Sequence, residues 1–275
     1  MTNILLTGGA GQLGQAFTAC TLTKDLGIEL SILDRQSLDI TDQEAIETVF
    51  QRYQPDVVIN AAAYTAVDQA EIEVEQAFAV NVEAAAWLAT TCAAHDIGFI
   101  HLSTDYVFDG SKLAPYEVND QPNPLNTYGQ SKWAGEQAVF AAYPATVIVR
   151  TAWLYSEFGE NFQTKILRVA KDRLSSGESL QVVSDQWGSP TYAPDLVAFL
   201  LHLSKVLGTN KGRVMHFSGD KIMNRLELAK AILVAALERG ELEALPRIEA
   251  ASTEDYQTLV KRPVHTALKN SELWI

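Results

Sequence analysis

The chain has 275 residues, 47% of them apolar and 20% charged, enough to bury one large core or two modest ones. That composition excludes disorder over most of its length. Its 34 acidic and 21 basic residues leave a formal charge of −13, which repels phosphate backbones, and no basic stripe offsets it, so no nucleic-acid partner is expected.

The N-terminus has no basic stretch before its apolar residues, and the apolar run ends at Gly8. This is neither a signal peptide nor a membrane span, so a cytoplasmic chain without a membrane partner is expected. Cys20 and Cys92 sit among small residues in helix-like segments and read as buried small hydrophobes in a reducing compartment.

Through the first half, short apolar runs at 4–7, 30–33, 57–60, 99–103 and 146–150 alternate with amphipathic stretches at 12–20, 42–53, 74–95 and 128–143. Runs that are apolar throughout, separated by helices, predict parallel strands buried on both faces. The expected fold is therefore α/β, a doubly wound parallel sheet of Rossmann type, with a smaller C-terminal α/β part. Residues 1–150 form the expected dinucleotide-binding domain. Residues 151–275 form the substrate-binding part, interleaved with the first and packed on it. Its helix-like stretches lie at 161–174, 194–206 and 226–238, with short apolar runs at 180–183 and 213–217, and 115–125, rich in proline, reads as a surface loop.

Gly8, Gly11 and Gly14 follow the first strand and open the first helix. Glycine at these places permits a tight turn, backbone approach to a pyrophosphate and close helix–strand contact, with the anion at the helix N-terminus. A turn that binds nothing would carry the same residues. After the second strand, Asp34 suits a ribose diol and favours NAD, whereas Arg35 suits a 2′-phosphate and favours NADP, so both coenzymes stay open. Asp39 and Ile40 are placed to meet the adenine, and an ordinary loop aspartate leading into a helix would read the same.

Tyr128 and Lys132 lie one helical turn apart on one face. A nearby ammonium favours a phenolate and is expected to bring the tyrosine toward the working range. Thr104, with Ser103 before it, ends the fourth strand, where ligands of open α/β sheets collect, and its hydroxyl suits a substrate carbonyl. Backbone capping is the plainer use of such a hydroxyl.

Taken with these pieces, the strings Asn60–Asp68, Ser103–Gly110, Arg150–Tyr155, Asp185–Thr191 and Arg262-Pro263 run in order along nearly the whole chain. The sequence resembles the extended short-chain dehydrogenase/reductases and, within them, the dTDP-4-dehydrorhamnose reductase family. The resemblance implies hydride transfer from NADPH or NADH to C4 of a dTDP-linked 4-keto-6-deoxy sugar. It implies Tyr128 as proton donor, Lys132 as ribose holder and tuner of the tyrosine, and Thr104 as the group polarising the keto oxygen. Cofactor contacts are implied for Gln12, Leu13, Asp34, Asp39, Ile40, Ala61, Ala62, Ala63, Tyr64 and Thr65, and lysine support through water for Asn81. Sugar contacts are implied for Thr104, Asp105, Tyr106 and Trp153, while Arg262, Lys165 and Arg168 are candidates for the diphosphate, a solvated helix face being the plainer use of Lys165 and Arg168.

Some relatives bridge a dimer with Mg²⁺ through an acid where this chain has Gln15, so no metal is expected, and a monomer or homodimer is. Tyr64 stands where some relatives have histidine, and relatives usually continue through another helix beyond Trp274-Ile275. Two rival functions share these motifs: a sugar-nucleotide epimerase or dehydratase that recycles NAD⁺, and a non-catalytic regulatory subunit like that of methionine adenosyltransferase.

Overall fold

The computed structural model describes residues 1–255 and 260–273; Trp274-Ile275, named above, lies outside them. Five strands run in the first half: β1 (Thr2–Thr7), β2 (Ile28–Leu33), β3 (Val57–Asn60), β4 (Gly98–Thr104) and β5 (Val147–Thr151). With Val214–His216 they form one six-stranded sheet, all pairs parallel, in the order Val214–His216, β5, β4, β3, β1, β2. The sixth strand thus comes from far along the chain and pairs with β5.

Alternation along each strand explains the layers. Ile4 and Leu6 of β1 face Leu13, Ala16 and Phe17 of the helix Gln12–Ala19 and Leu196 to Leu203 of the helix Ala193–Lys205. Leu5 between them faces the opposite way, toward Ile46 and Phe50 of the helix Gln43–Tyr53 and Leu88 of the stretch 74–94. Helices on both faces make this the expected doubly wound α/β sheet. A separate cluster of Ile166, Ala170, Leu180, Val182, Leu228 and Leu233 gives the C-terminal part its own core, where Leu180–Val183 pairs with Ile248–Ala251.

Val74–Ala94 is long and apolar enough to cross a membrane by length and composition alone. Here its Ala84, Ala85, Leu88, Ala89 and Cys92 are fully buried against the sheet, as in the core helix of a globular fold. Within it, Ala79–Ala84 forms a π-helical turn that places Asn81 inward.

Candidate active site

The carboxyl ends of the strands open onto a cleft of about 990 Å³. At its floor, Gly8 leaves β1 with φ 76°, and a Cβ there would stand 2.8 Å from the Ala61 carbonyl carbon. A Cβ on Gly14 would meet the Gly9 carbonyl oxygen at 2.3 Å. Gly14 therefore lets the helix pack closely on the glycine loop at Gly9 and does not line the cleft, unlike Gly8, Gly11, Gln12 and Leu13. Ala61, Ala62, Ala63, Tyr64 and Thr65 form the wall after β3. A glycine cradle under a helix N-terminus, beside a cleft of this size, fits a nicotinamide dinucleotide.

At the far end the cleft meets Arg35, Asp39 and Ile40. Arg35 Nε donates to Asp39 Oδ2 at 3.1 Å, and Thr41 donates to the other oxygen of the same carboxylate. These bonds, those from Thr41 foremost, hold the Asp39 carboxyl below its usual range. Asp34 is turned elsewhere: its carboxylate accepts from the Ser37 N–H at 2.9 Å and does not line the cleft.

The near end collects Thr104, Tyr128 and Lys132. Asn126 caps the helix Thr127–Ala142 by accepting from the Gly129 N–H, and Glu71 accepts from the Thr127 N–H at 2.8 Å. Those bonds fix the first turn, which carries Tyr128. Lys132 is 2% exposed and donates to the Leu102 carbonyl at 2.7 Å. Burial lowers its ammonium to about 8, with Glu136 opposing.

The tyrosine departs from expectation. Loss of water pushes the Tyr128 phenol well up, with the Thr104 side chain opposing and the charge of Asp105 adding to the rise. Lys132 turns its ammonium to the Leu102 carbonyl, and desolvation governs the phenol. The phenol is accordingly held protonated, the state a proton donor requires.

On the sugar side, Thr104 donates to Asp105 Oδ1 at 3.1 Å and accepts from the Tyr106 N–H at 3.2 Å. Asp105 is 3% exposed, and burial pushes its carboxyl up to about 6, with side-chain bonds from Thr266 and Thr104 opposing. The unfolded chain releases this proton near 3.8, so the carboxyl's contribution to stability is full below that value and lost as pH rises to about 6. Asp105→Asn is expected to stabilise the ligand-free chain by about 2 kcal/mol more at pH 8 than at pH 4, read from thermal melts at both values.

Trp153 lies in the left-handed region, φ 46°, a strained conformation for a bulky residue, and lines the cleft. Its ring packs so close to Gly188 that any Cβ there would stand 2.4 Å away. The Arg225 guanidinium lies over the ring, 3.4 Å from its centroid. Arg262, at the cleft's rim, makes a two-oxygen bond to Asp68 at 2.9 and 2.7 Å.

The family model for the RmlD substrate binding domain matches residues 1–274. The chain belongs to the RmlD family. It is 40% identical over 271 residues to the dTDP-4-dehydrorhamnose reductase of Aggregatibacter actinomycetemcomitans, a match covering 98% of this chain and 90% of the relative. Against the dTDP-4-keto-6-deoxy-D-glucose reductase of Streptomyces niveus it is 42% identical over 229 residues, covering 81% and 77%. The solved dTDP-4-dehydrorhamnose reductase of Bacillus anthracis str. Ames, in complex with NADP, is similar with a TM-score of 0.88 at 32% identity, covering 98% of this chain and 91% of that one.

In this RmlD-family cleft the structure brings together most of the residues singled out from sequence; Gly14, Asp34, Asn81 and Arg168 are the exceptions. Gly14 and Asp34 face elsewhere, as described. Asn81 also stays off the cleft: its amide bonds the Tyr64 N–H and carbonyl (2.9 and 3.1 Å) and the Ser131 hydroxyl (2.9 Å), bracing the wall against the lysine's helix. Of the diphosphate candidates, Lys165 lines the cleft, while Arg168 is exposed and pairs with Glu160. Arg225 escaped the sequence reading. Its signal was a cation at the first position of a helix with a complete Asn224–Glu227 capping box, the positive end of the helix dipole. Among the described residues no group of three or more His, Cys, Asp and Glu side chains stands placed to hold a metal ion.

Proposed function

We propose that this chain reduces the C4 keto group of dTDP-4-dehydro-L-rhamnose to give dTDP-L-rhamnose, using NADPH or NADH. The observation that carries the reading is the meeting of Thr104, Tyr128 and Lys132 at one end of a cleft whose other end is a glycine cradle. The full-length likeness to reductases of dTDP-linked keto sugars supports it.

The dinucleotide would rest on Gly8 to Leu13, against Ala61 to Thr65, with its adenosine end near Arg35, Asp39 and Ile40. When bound, its reduced nicotinamide supplies the hydride. Lys132, largely charged at neutral pH, holds the ribose hydroxyls. Thr104 turns its proton from Asp105 to the keto oxygen, and Tyr128 protonates the oxygen as negative charge develops there. Trp153 offers an apolar wall to the deoxy methyl group. Arg35 faces the cleft and Asp34 does not, which supports use of NADPH at least as well as NADH.

Arg225 and Arg262 are the cations best placed for the diphosphate. Arg225→Met is expected to raise KM for the sugar nucleotide about 10- to 100-fold, with KM for NADPH unchanged in steady-state kinetics. A cytoplasmic monomer or homodimer without membrane or nucleic-acid partner belongs to the same proposal, supported by the acidic charge.

The test is to mix purified chain, NADPH and enzymatically prepared dTDP-4-dehydro-L-rhamnose and follow nicotinamide absorbance. Oxidation that depends on the keto sugar supports the reading. Tight NADPH binding without such oxidation would contradict it and favour a regulatory subunit.

A further inference from the structure

Behind Lys132 lies a buried ion pair that the reaction above does not use. Glu136, one turn further along the same helix, is 0% exposed, and Arg150 of β5 is 2% exposed. Arg150 donates from Nε to Glu136 Oε1 at 2.8 Å and from Nη2 to Oε2 at 2.6 Å. The Ser103 hydroxyl donates to the same Oε1 at 2.5 Å. On its far side Arg150 packs against the Phe108 and Trp133 rings and meets His216 Nε2 at 3.4 Å. Burial and the Arg150 charge push His216 down to about 3, so that ring is neutral and receives the guanidinium.

A buried ion pair is a weak device for stability, because desolvation offsets most of the attraction and well-packed apolar residues of the same volume serve as well. Two properties of this one have no apolar equivalent. It sets a negative charge within a turn of Lys132 where no water screens it. It also anchors Ser103, whose neighbour in the chain is Thr104.

We propose that Glu136 is a positioning residue for the reduction: its carboxylate keeps the Lys132 ammonium charged, and its bond from Ser103 holds the Thr104 hydroxyl at the mouth of the cleft. Arg150 keeps that carboxylate fixed in a site from which it would otherwise be expelled. Two further titratable groups near Lys132, His101 and Tyr128, are neutral. From β4, His101 is fully buried with its Nδ1 on the Asn60 amide, and burial together with Lys132 itself holds it neutral. From the same helix, the Tyr128 phenol stays protonated. Glu136 alone raises the lysine against the effect of burial.

The link to Thr104 rests on the proposed reduction; the link to Lys132 does not. The test follows the ¹³Cε resonance of Lys132 in chain labelled with [ε-¹³C]lysine, assigned by its loss in Lys132→Arg. The wild-type midpoint is expected at about 8. In Glu136→Gln it should fall by about 1 pH unit, and the double variant Glu136→Gln with Arg150→Gln, which leaves no lone buried charge, should fall in the same direction. Glu136→Asp, which keeps the charge, should restore it toward the wild-type value.

Ser103→Ala keeps every charge, so its lysine midpoint should stay put while kcat drops about tenfold with KM for NADPH unchanged. An unmoved lysine midpoint in both Gln variants would overturn the charge role, and wild-type kcat in Ser103→Ala would overturn the anchoring role. If the wild type turns over no keto sugar, the proposed reduction fails on its own, and the lysine titration still decides whether Glu136 sets that charge.

Discussion

Tyr128→Phe is expected to lower turnover of the keto sugar about 10²- to 10⁴-fold while NADPH binding changes little. The substitution removes one oxygen from a ring whose position is set by the capped first turn at Asn126 and by an edge-on contact with Tyr106 at 5.7 Å. Packing therefore survives and the proton donor does not. Because desolvation pushes the phenol upward, tyrosine ionisation should take no rate away below its ordinary value of 10.0. Loss of rate above about pH 8 then belongs to Lys132. Steady-state kinetics across pH, with NADPH binding followed by fluorescence, check both statements. Near-normal turnover in the phenylalanine variant would remove Tyr128 from the chemistry.

The second large effect is expected from Thr104→Val, which should lower kcat about 10²- to 10³-fold, the usual loss for one donor to a developing oxyanion. Valine keeps the β-branched shape at a strand end that is 6% exposed. It removes the hydroxyl now shared between Asp105 and the Tyr106 N–H. The variant also separates two uses of that hydroxyl. If it serves only as a backbone cap, thermal stability falls and kcat stays; if it polarises the keto oxygen, kcat falls by orders of magnitude. Melting temperature and kcat measured on the same preparation decide between them.

Much of this architecture was legible because fully buried parallel strands leave an unmistakable pattern, and the runs at 57–60 and 180–183 became strands with those very bounds. Partnership was not legible. Nothing local to Val214–His216 says that it pairs with β5 across a long stretch of chain. The π-helical turn at Ala79–Ala84 was hidden as well, since hydrophobic spacing through 74–94 suits an ordinary helix. Its cause is tertiary: Asn81 reaches Tyr64 and Ser131, and its carbonyl approaches Gly135 so closely that a Cβ there would stand 2.1 Å away.

At the site, residue types and spacing revealed the glycine cradle and the Thr104, Tyr128 and Lys132 set. Side-chain direction and desolvation were beyond reach. The Lys132 ammonium turns to a strand carbonyl rather than to the phenol, Asp34 closes its own turn, and Arg225 reaches the cleft only because its helix begins beside Trp153.

The most direct test of the account uses NADPH carrying deuterium at both C4 positions of the nicotinamide, incubated with the chain and dTDP-4-dehydro-L-rhamnose, with the sugar nucleotide then read by mass spectrometry and proton NMR. The account predicts one deuterium per product molecule, located at C4 of the sugar, in stoichiometry with NADPH consumed. Unlabelled sugar with NADPH unconsumed, or sugar altered elsewhere while the cofactor is returned unchanged, would contradict it.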